Sequence, residues 1–195
     1  PALPPSAPHD IPPGARRTAQ LIGWTGWVGF WIQLIAGAIA VALLVLAVIS
    51  RTLDEGDRTF WVGLAIFTAI ASFLVLLAGI YFAYRLTRAA RRVLLPYVQP
   101  TPTPNQVLQQ VLLAVLISLI GVGIGLLGTE ISAVSLMAKT LTHPQGAALY
   151  SPESTLRVLD VMVILINGGL VITHFCGLVI YAWLLQRLPI LPANR

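Results

Sequence analysis

The sequence predicts an all-α integral membrane protein with four transmembrane helices. Of the 195 residues, 57% are hydrophobic and 10% are charged, whereas a soluble domain carries about 25% charged residues. Four intervals without a charge, 18–50, 59–84, 93–129 and 161–186, together hold 122 residues. Since about 20 apolar residues cross a bilayer core of about 30 Å, each interval can hold one spanning helix. The runs are continuous rather than alternating, which disfavours a β-barrel.

The polar residues that remain do not suggest an enzyme or a nucleic-acid-binding protein. Four spans leave no room for a soluble catalytic domain, and no catalytic residues are predicted, because no Ser/His/Asp, paired-thiol, zinc-finger or phosphate-loop arrangement occurs. The formal net charge is +5, but the cations sit beside apolar spans instead of forming an aromatic-interleaved patch. The predicted partner is therefore the lipid bilayer and not nucleic acid.

The predicted domain organisation has three parts. Residues 1–20 form a disordered Pro-rich tail, residues 21–188 form the four-helix transmembrane domain, and residues 189–195 form a C-terminal tail. Residues 1–14 contain six prolines and no apolar core of the kind found in a secretory signal. The tail is therefore not expected to be a secretory signal.

The first two spans, about 27–49 and 60–84, are predicted to form an antiparallel hairpin. Only a short polar segment, 51–58, separates them, and short connections join antiparallel neighbours. One end of the first span is rich in aromatic residues that prefer the headgroup boundary. These are Trp24, Trp27 and Trp31.

Past Tyr84 the helical pattern continues through four arginines near one face of the helix. They have two interpretations: contact with anionic lipid headgroups, which also sets the topology, or a specific site for an anionic ligand. A proline-rich stretch, 96–104, then favours an extended connection. The four arginines are Arg85, Arg88, Arg91 and Arg92.

The third span, about 107–129, is predicted to be capped by Asn105 and to continue as a helix to about Leu141. A stripe of small residues runs along it and permits close backbone approach. We interpret it mainly as a helix-packing surface, within the chain or between protomers, with a narrow permeation path as the alternative. Nucleotide binding is disfavoured because no strand precedes the glycines. The stripe consists of Gly121, Gly125, Gly128 and Ser132.

The fourth span, about 161–186, carries a row of polar residues. Its helix is predicted to begin at 151–153, a Ser-Pro-Glu start signal, and to protrude with the third helix beyond the membrane. Asp160, Asn167 and His174 are seven residues apart, so an α-helix places them within about 40° of one another. We call these three residues the polar row.

Three interpretations of the polar row remain open. In the first, Asn167 and His174 hydrogen-bond to neighbouring helices. In the second, they line an ion or proton path, and Asp160 and Glu130 attract cations to its entrance. In the third interpretation His174 ligates a cofactor, since neutral imidazole binds iron, zinc and chlorophyll magnesium. Uncharged residues on the other spans would complete such an interior: Gln33, Ser72 and Ser118.

The distribution of Lys and Arg predicts the topology. Eight lie in the tails and between the second and third spans, and four lie on the opposite face. The positive-inside rule therefore places both termini on the cytoplasmic side, or on its stromal equivalent.

Three segments of the fourth helix resemble the C-terminal signature of a cyanobacterial and chloroplast membrane family. They are the stretch from Leu159-Asp160-Val161 to Asn167, the pair His174-Phe175, and Trp183-Leu184-Leu185. The similarity extends over residues 17–188. Chloroplast members include an inner-envelope protein described both as an iron permease and as a component of the protein-import translocon. At 165–169 this chain has Leu-Ile-Asn-Gly-Gly where the family pattern is Gln-Ala-Asn-Thr-Asn.

The resemblance implies four spans and a photosynthetic membrane: a cyanobacterial plasma or thylakoid membrane, or a plastid inner envelope. Without a Ser- and Arg-rich transit-like start, the cyanobacterial version is favoured. Two functions follow as hypotheses. One is a permease for iron or another divalent cation, with iron as substrate and the polar row along its path. The other is an accessory or assembly subunit of a translocon or photosynthetic complex. A homo-oligomer or membership of a larger complex is expected, and chlorophyll at His174 is a candidate cofactor.

Overall fold

A computed structural model describes residues 13–53, 60–94, 103–142 and 158–188. They form four α-helices: α1 (Pro13–Leu53), α2 (Phe60–Leu94), α3 (Pro104–Thr142) and α4 (Val158–Arg187). All four are long and apolar enough to cross a membrane, and the described residues contain no strand. The predicted all-α fold with four spans is confirmed.

The helices form an antiparallel bundle in which α2 and α4 occupy the short diagonal. Each of these two contacts the other and both outer helices, whereas α1 and α3, where described, have no Cα atoms within 8 Å of each other. Gly29 of α1 lies against Tyr181 of α4, and Gln33 lies against Gly177. The start of α1 and the end of α4 are therefore at the same end of the bundle.

That end carries a set of exposed arginines and is called the basic end below. All four arginines of α2 that the sequence singled out are there, together with two at the start of α1 and one at the end of α4. Which side of the membrane the basic end faces stays a prediction from the positive-inside rule. The residues are Arg16, Arg17, Arg85, Arg88, Arg91, Arg92 and Arg187.

The interior is built from two apolar clusters with a polar layer between them. One cluster, around Leu76 and Leu170, lies away from the basic end; the other, around Leu86 and Leu184, lies near it. Many of the buried residues are alanines, which let helix backbones approach closely. Within the apolar window of each span only 22–39% of the residues are buried, so many large apolar side chains face outward, as a bilayer requires.

Several helix ends differ from their predicted positions. Helix α1 begins at Pro13, which puts 13–20 in a helix rather than in the predicted tail. A proline suits the first turn, because the N–H that it lacks would have no partner there. Residues 1–12 and 189–195 lie outside the described residues. The predicted continuation of α2 past Tyr84 is confirmed, since the helix ends at Leu94.

The cap of α3 is Thr103, so the prediction that Asn105 caps this helix was wrong. The Thr103 N–H donates to Oε1 of Gln106 at 3.1 Å, and the Gln106 N–H donates to Oγ1 of Thr103 at 3.4 Å. This reciprocal pair is a capping box. Since Pro104 occupies the first helical position, the cap moves to the residue before it.

At 39 residues, α3 is about 58 Å long, well beyond a bilayer core of about 30 Å. The three connections, 54–59, 95–102 and 143–157, fall outside the described residues. The predicted start of the fourth helix at 151–153 belongs to the last of them.

Candidate functional site

The three residues of the polar row lie on one buried face of α4. Asp160 is 8% exposed, Asn167 is 0% exposed and His174 is 1% exposed. The face packs against α2 and α3, as the contacts of each residue show. The row is therefore enclosed by helices of the same chain.

His174 forms a hydrogen bond to the backbone of α2. Its Nε2 atom is 3.1 Å from the carbonyl oxygen of Ser72. Because a carbonyl oxygen only accepts, Nε2 carries the proton and donates it. The other side of the ring rests on Gly121, where an added methyl group would collide with the imidazole. In this arrangement Nε2 has no lone pair to offer iron, zinc or chlorophyll magnesium.

Asn167 ties α4 to α2 in a similar way. Its Nδ2 atom donates to the carbonyl oxygen of Ala65 at 3.2 Å and to that of Val163, in its own helix, at 3.1 Å. A methyl group added to Gly128 would collide with the Asn167 amide and with Oγ1 of Thr68. The amide therefore fills the space between α2 and α3.

The small-residue stripe of α3 is the surface that receives α4. A methyl group on Gly125 would lie 2.7 Å from Cγ2 of Val171, just as Gly121 and Gly128 receive His174 and Asn167. Gly123, between them in sequence, has no atom within 4 Å of the corresponding position. Successive turns of α3 thus pack against successive turns of α4 in the same chain.

Asp160 borders a narrow cleft at the end of the row away from the basic end. The cleft has a volume of about 10 Å³, roughly the space that one water molecule needs. Its remaining lining residues are Trp61, Val62, Ala65, Ser132, Ser135 and Val163.

Glu130, which the sequence grouped with Asp160 at a cation entrance, is exposed on α3. It is two residues from both Gly128 and Ser132, and therefore lies on the opposite face of the helix. The structure does not bring the two acids together. No group of three or more His, Cys, Asp and Glu side chains that could hold a metal ion occurs among the residues described.

A second set of buried polar side chains lies one turn beyond His174. Gln33 of α1, Ser118 of α3 and Tyr181 of α4 are each at most 1% exposed. They meet around Gly177, where a methyl group would lie 2.7 Å from Nε2 of Gln33 and 3.2 Å from Oγ of Ser118. Sequence reasoning identified Gln33 and Ser118 but missed Tyr181, since a tyrosine near the end of a span usually marks the membrane interface.

The arginines of α2 are all exposed at the basic end. The guanidinium group of Arg88 lies 5.9 Å from the centre of the Tyr84 ring, an arrangement in which a cation is attracted to the aromatic face. This placement suits lipid headgroup contact, which stays a prediction.

Comparison with known proteins gives two matches of different kinds. A family model described as "Protein of unknown function (DUF3611)" matches residues 12–189. The curated Arabidopsis thaliana protein "Protein TIC 21, chloroplastic" is 23% identical over 180 residues, which are 90% of this chain and 59% of that protein. The chain thus spans about three fifths of the length of this relative. No solved structure matches.

Proposed function

This chain belongs to the DUF3611 family, and we propose that it is a non-enzymatic subunit of a larger membrane complex. Its similarity to the curated Arabidopsis protein supports the resemblance to the chloroplast membrane family. The complex is of the translocon type, in a plastid-type envelope or in a cyanobacterial plasma or thylakoid membrane. The chain contributes a preformed bundle, and the chemistry or transport belongs to the assembly.

One observation carries this proposal: the polar row is occupied by helix packing. His174 is bonded to the Ser72 carbonyl group, Asn167 is bonded to that of Ala65, and both side chains are seated on glycines of α3. A water-filled path along the row would need these contacts to open. The row therefore fits a rigid subunit better than a conduit.

The outer surface supports the same proposal. Large apolar side chains are exposed on every helix, and the basic end has a broad set of arginines. Lipid tails cover such apolar side chains, whereas the arginines of the basic end can engage acidic loops of a neighbouring subunit as well as lipid headgroups.

Purification from the native membrane tests the proposal. The tagged chain is extracted in a mild detergent, and the composition of the particle is measured by mass spectrometry after size-exclusion chromatography. We expect other membrane subunits in a fixed ratio to this chain, absent when an unrelated membrane protein carries the same tag. A particle containing only this chain would contradict the proposal.

Cation transport, with iron as the substrate, is the second candidate function. It is favoured by buried oxygens on α2, α3 and α4 that have no hydrogen-bond partner among the described residues. In reconstituted vesicles, a permease would take up ferrous iron, and Asp160→Asn and His174→Leu would each lower the rate. His174→Leu makes the span more apolar, so failed insertion would not explain a loss. The oxygens belong to Ser72, Gln110, Ser118 and Asn167.

A further inference from the structure

A groove opens toward the membrane between α1 and α4, just inside the basic end. Its volume is about 260 Å³, close to the lower limit of about 300 Å³ for pockets that hold drug-sized ligands. We call it the α1–α4 groove. It is lined by Trp24, Thr25, Val28, Val179, Ile180 and Trp183.

The interior of the groove presents only apolar surface. Thr25 is its one lining residue with a hydroxyl group, and that hydroxyl donates to the carbonyl oxygen of Leu21 at 2.7 Å. A hydrocarbon chain could therefore fill the groove without leaving a polar group unpaired.

The shape of the groove favours an acyl chain over another helix. A helix with its side chains is about 10 Å across, and helices in membranes pack on small residues that let backbones approach. Here the walls are two indole rings together with Val28, Val179 and Ile180. Such walls suit a slender, flexible occupant.

The mouth of the groove is aromatic and cationic. Trp24 is 68% exposed and Trp183 is 39% exposed, and the guanidinium carbon of Arg187 lies 5.5 Å from the centre of the Trp183 ring. An arginine stacked on an indole keeps its N–H groups available at the edge for bidentate contact with phosphate. Arg17 is exposed and lies two helical turns before Trp24 on the same face of α1.

We propose that the α1–α4 groove binds one anionic phospholipid. Its acyl chain lies between Trp24 and Trp183, and its phosphate is held by Arg187 with Arg17 nearby. The charge at the mouth selects the headgroup, and the apolar interior holds the chain. The site is independent of the polar row and of the proposed subunit role.

Lipid retention by the full chain tests the proposal. The protein is reconstituted with phosphatidylcholine and phosphatidylglycerol, extracted, washed in detergent and analysed by native mass spectrometry. We expect about one phosphatidylglycerol per chain to survive washing, in preference to phosphatidylcholine. Arg187→Gln should lower that preference about five-fold, the effect of losing one basic contact near a membrane surface.

Arg88→Gln is the matched control, since Arg88 is also stacked on an aromatic ring at the basic end but lies outside the groove. It should leave retention unchanged. Val28→Trp, which fills the groove, should abolish retention of the bound lipid while the thermal stability is maintained. Equal losses in the two arginine variants, equal retention of both lipids, or full retention by Val28→Trp would each overturn the proposal. So would finding the groove covered by a subunit that co-purifies.

Discussion

The imidazole ring of His174 occupies the space in which any residue other than glycine at position 121 would place its side chain. The ring is held there by its hydrogen bond to α2. One side chain of α4 thus contacts both α2 and α3, and the glycine stripe and the polar row are two halves of one interface.

Gly121→Ala should destabilise the bundle by about 1–3 kcal/mol, the usual cost of overpacking a well-packed interior. Gly123→Ala is the control, because its added methyl group meets nothing within 4 Å and alanine favours a helix by up to about 1 kcal/mol. Unfolding in mixed micelles measures both. Adding His174→Ala to Gly121→Ala should recover part of the stability that Gly121→Ala loses. Equal effects of the two glycine substitutions would mean that the ring does not restrict position 121.

Asn167→Asp should be severely destabilising at neutral pH. The substitution keeps the shape of the side chain but buries a carboxylate in a span, at a cost of about 2.5–3.5 kcal/mol on insertion scales. The loss should shrink at acidic pH, where the carboxyl group is neutral. Asn105→Asp, at an exposed position in the first turn of α3, is the control and should be neutral or slightly stabilising. A harmless Asn167→Asp would show that the row faces water.

Thr103→Ala should cost about 1 kcal/mol, because it removes the hydroxyl group that accepts from the Gln106 backbone N–H, one of the two hydrogen bonds of the capping box. Thr103→Ser keeps the hydroxyl group and should have little effect. Hydrogen exchange of the Gln106 amide reports the change directly, since this amide donates to the Thr103 hydroxyl. Unchanged exchange in Thr103→Ala would show that α3 is capped in another way.

The topology prediction places both termini and the basic end on the cytoplasmic or stromal side. Single cysteines introduced at Gln99 and Gln145, in a chain whose Cys176 is replaced by alanine, are labelled from each side with an impermeant reagent. Both positions lie outside the described residues; in sequence, Gln99 precedes the third span and Gln145 follows it. Gln99 should react from the cytoplasmic side and Gln145 from the other. Labelling of both from one side would refute the four-span topology.

The spans were predictable from the sequence because the cost of a charge in a bilayer removes charged residues from whole intervals. The helix ends were less predictable. Thr103 and Asn105 are both good caps, and only the position of Pro104 within the first turn decides between them. Likewise, Pro13 suits either a tail or the first turn of a helix, and its neighbours in sequence do not distinguish the two.

The polar row was predictable as a row, since a spacing of seven puts its residues on one helical face. Its partners were not predictable, because periodicity does not tell which helix a face meets. Glu130 was grouped with Asp160 as an acid that attracts cations at an entrance, although it lies on the outer face of α3. Tyr181 and Gly177 were missed, because they meet Gln33 and Ser118, which lie on other helices, and spacing along α4 does not predict such contacts.

The bundle seals the polar row from water, and the reactivity of a cysteine at position 72 tests this seal most directly. Ser72→Cys is nearly isosteric, and the native side chain is 0% exposed beside Gly125. In a chain with Cys176 replaced by alanine, a water-soluble thiol reagent is applied to membranes. Two variants serve as references. Gln20→Cys, at an exposed position of α1, is the reactive reference. Leu127→Cys, on the lipid-facing side of α3 where the native residue is 63% exposed, is the unreactive one. We predict that Ser72→Cys reacts as slowly as Leu127→Cys; a rate near that of Gln20→Cys, reduced by ferrous iron, would contradict the sealed bundle and favour a cation path.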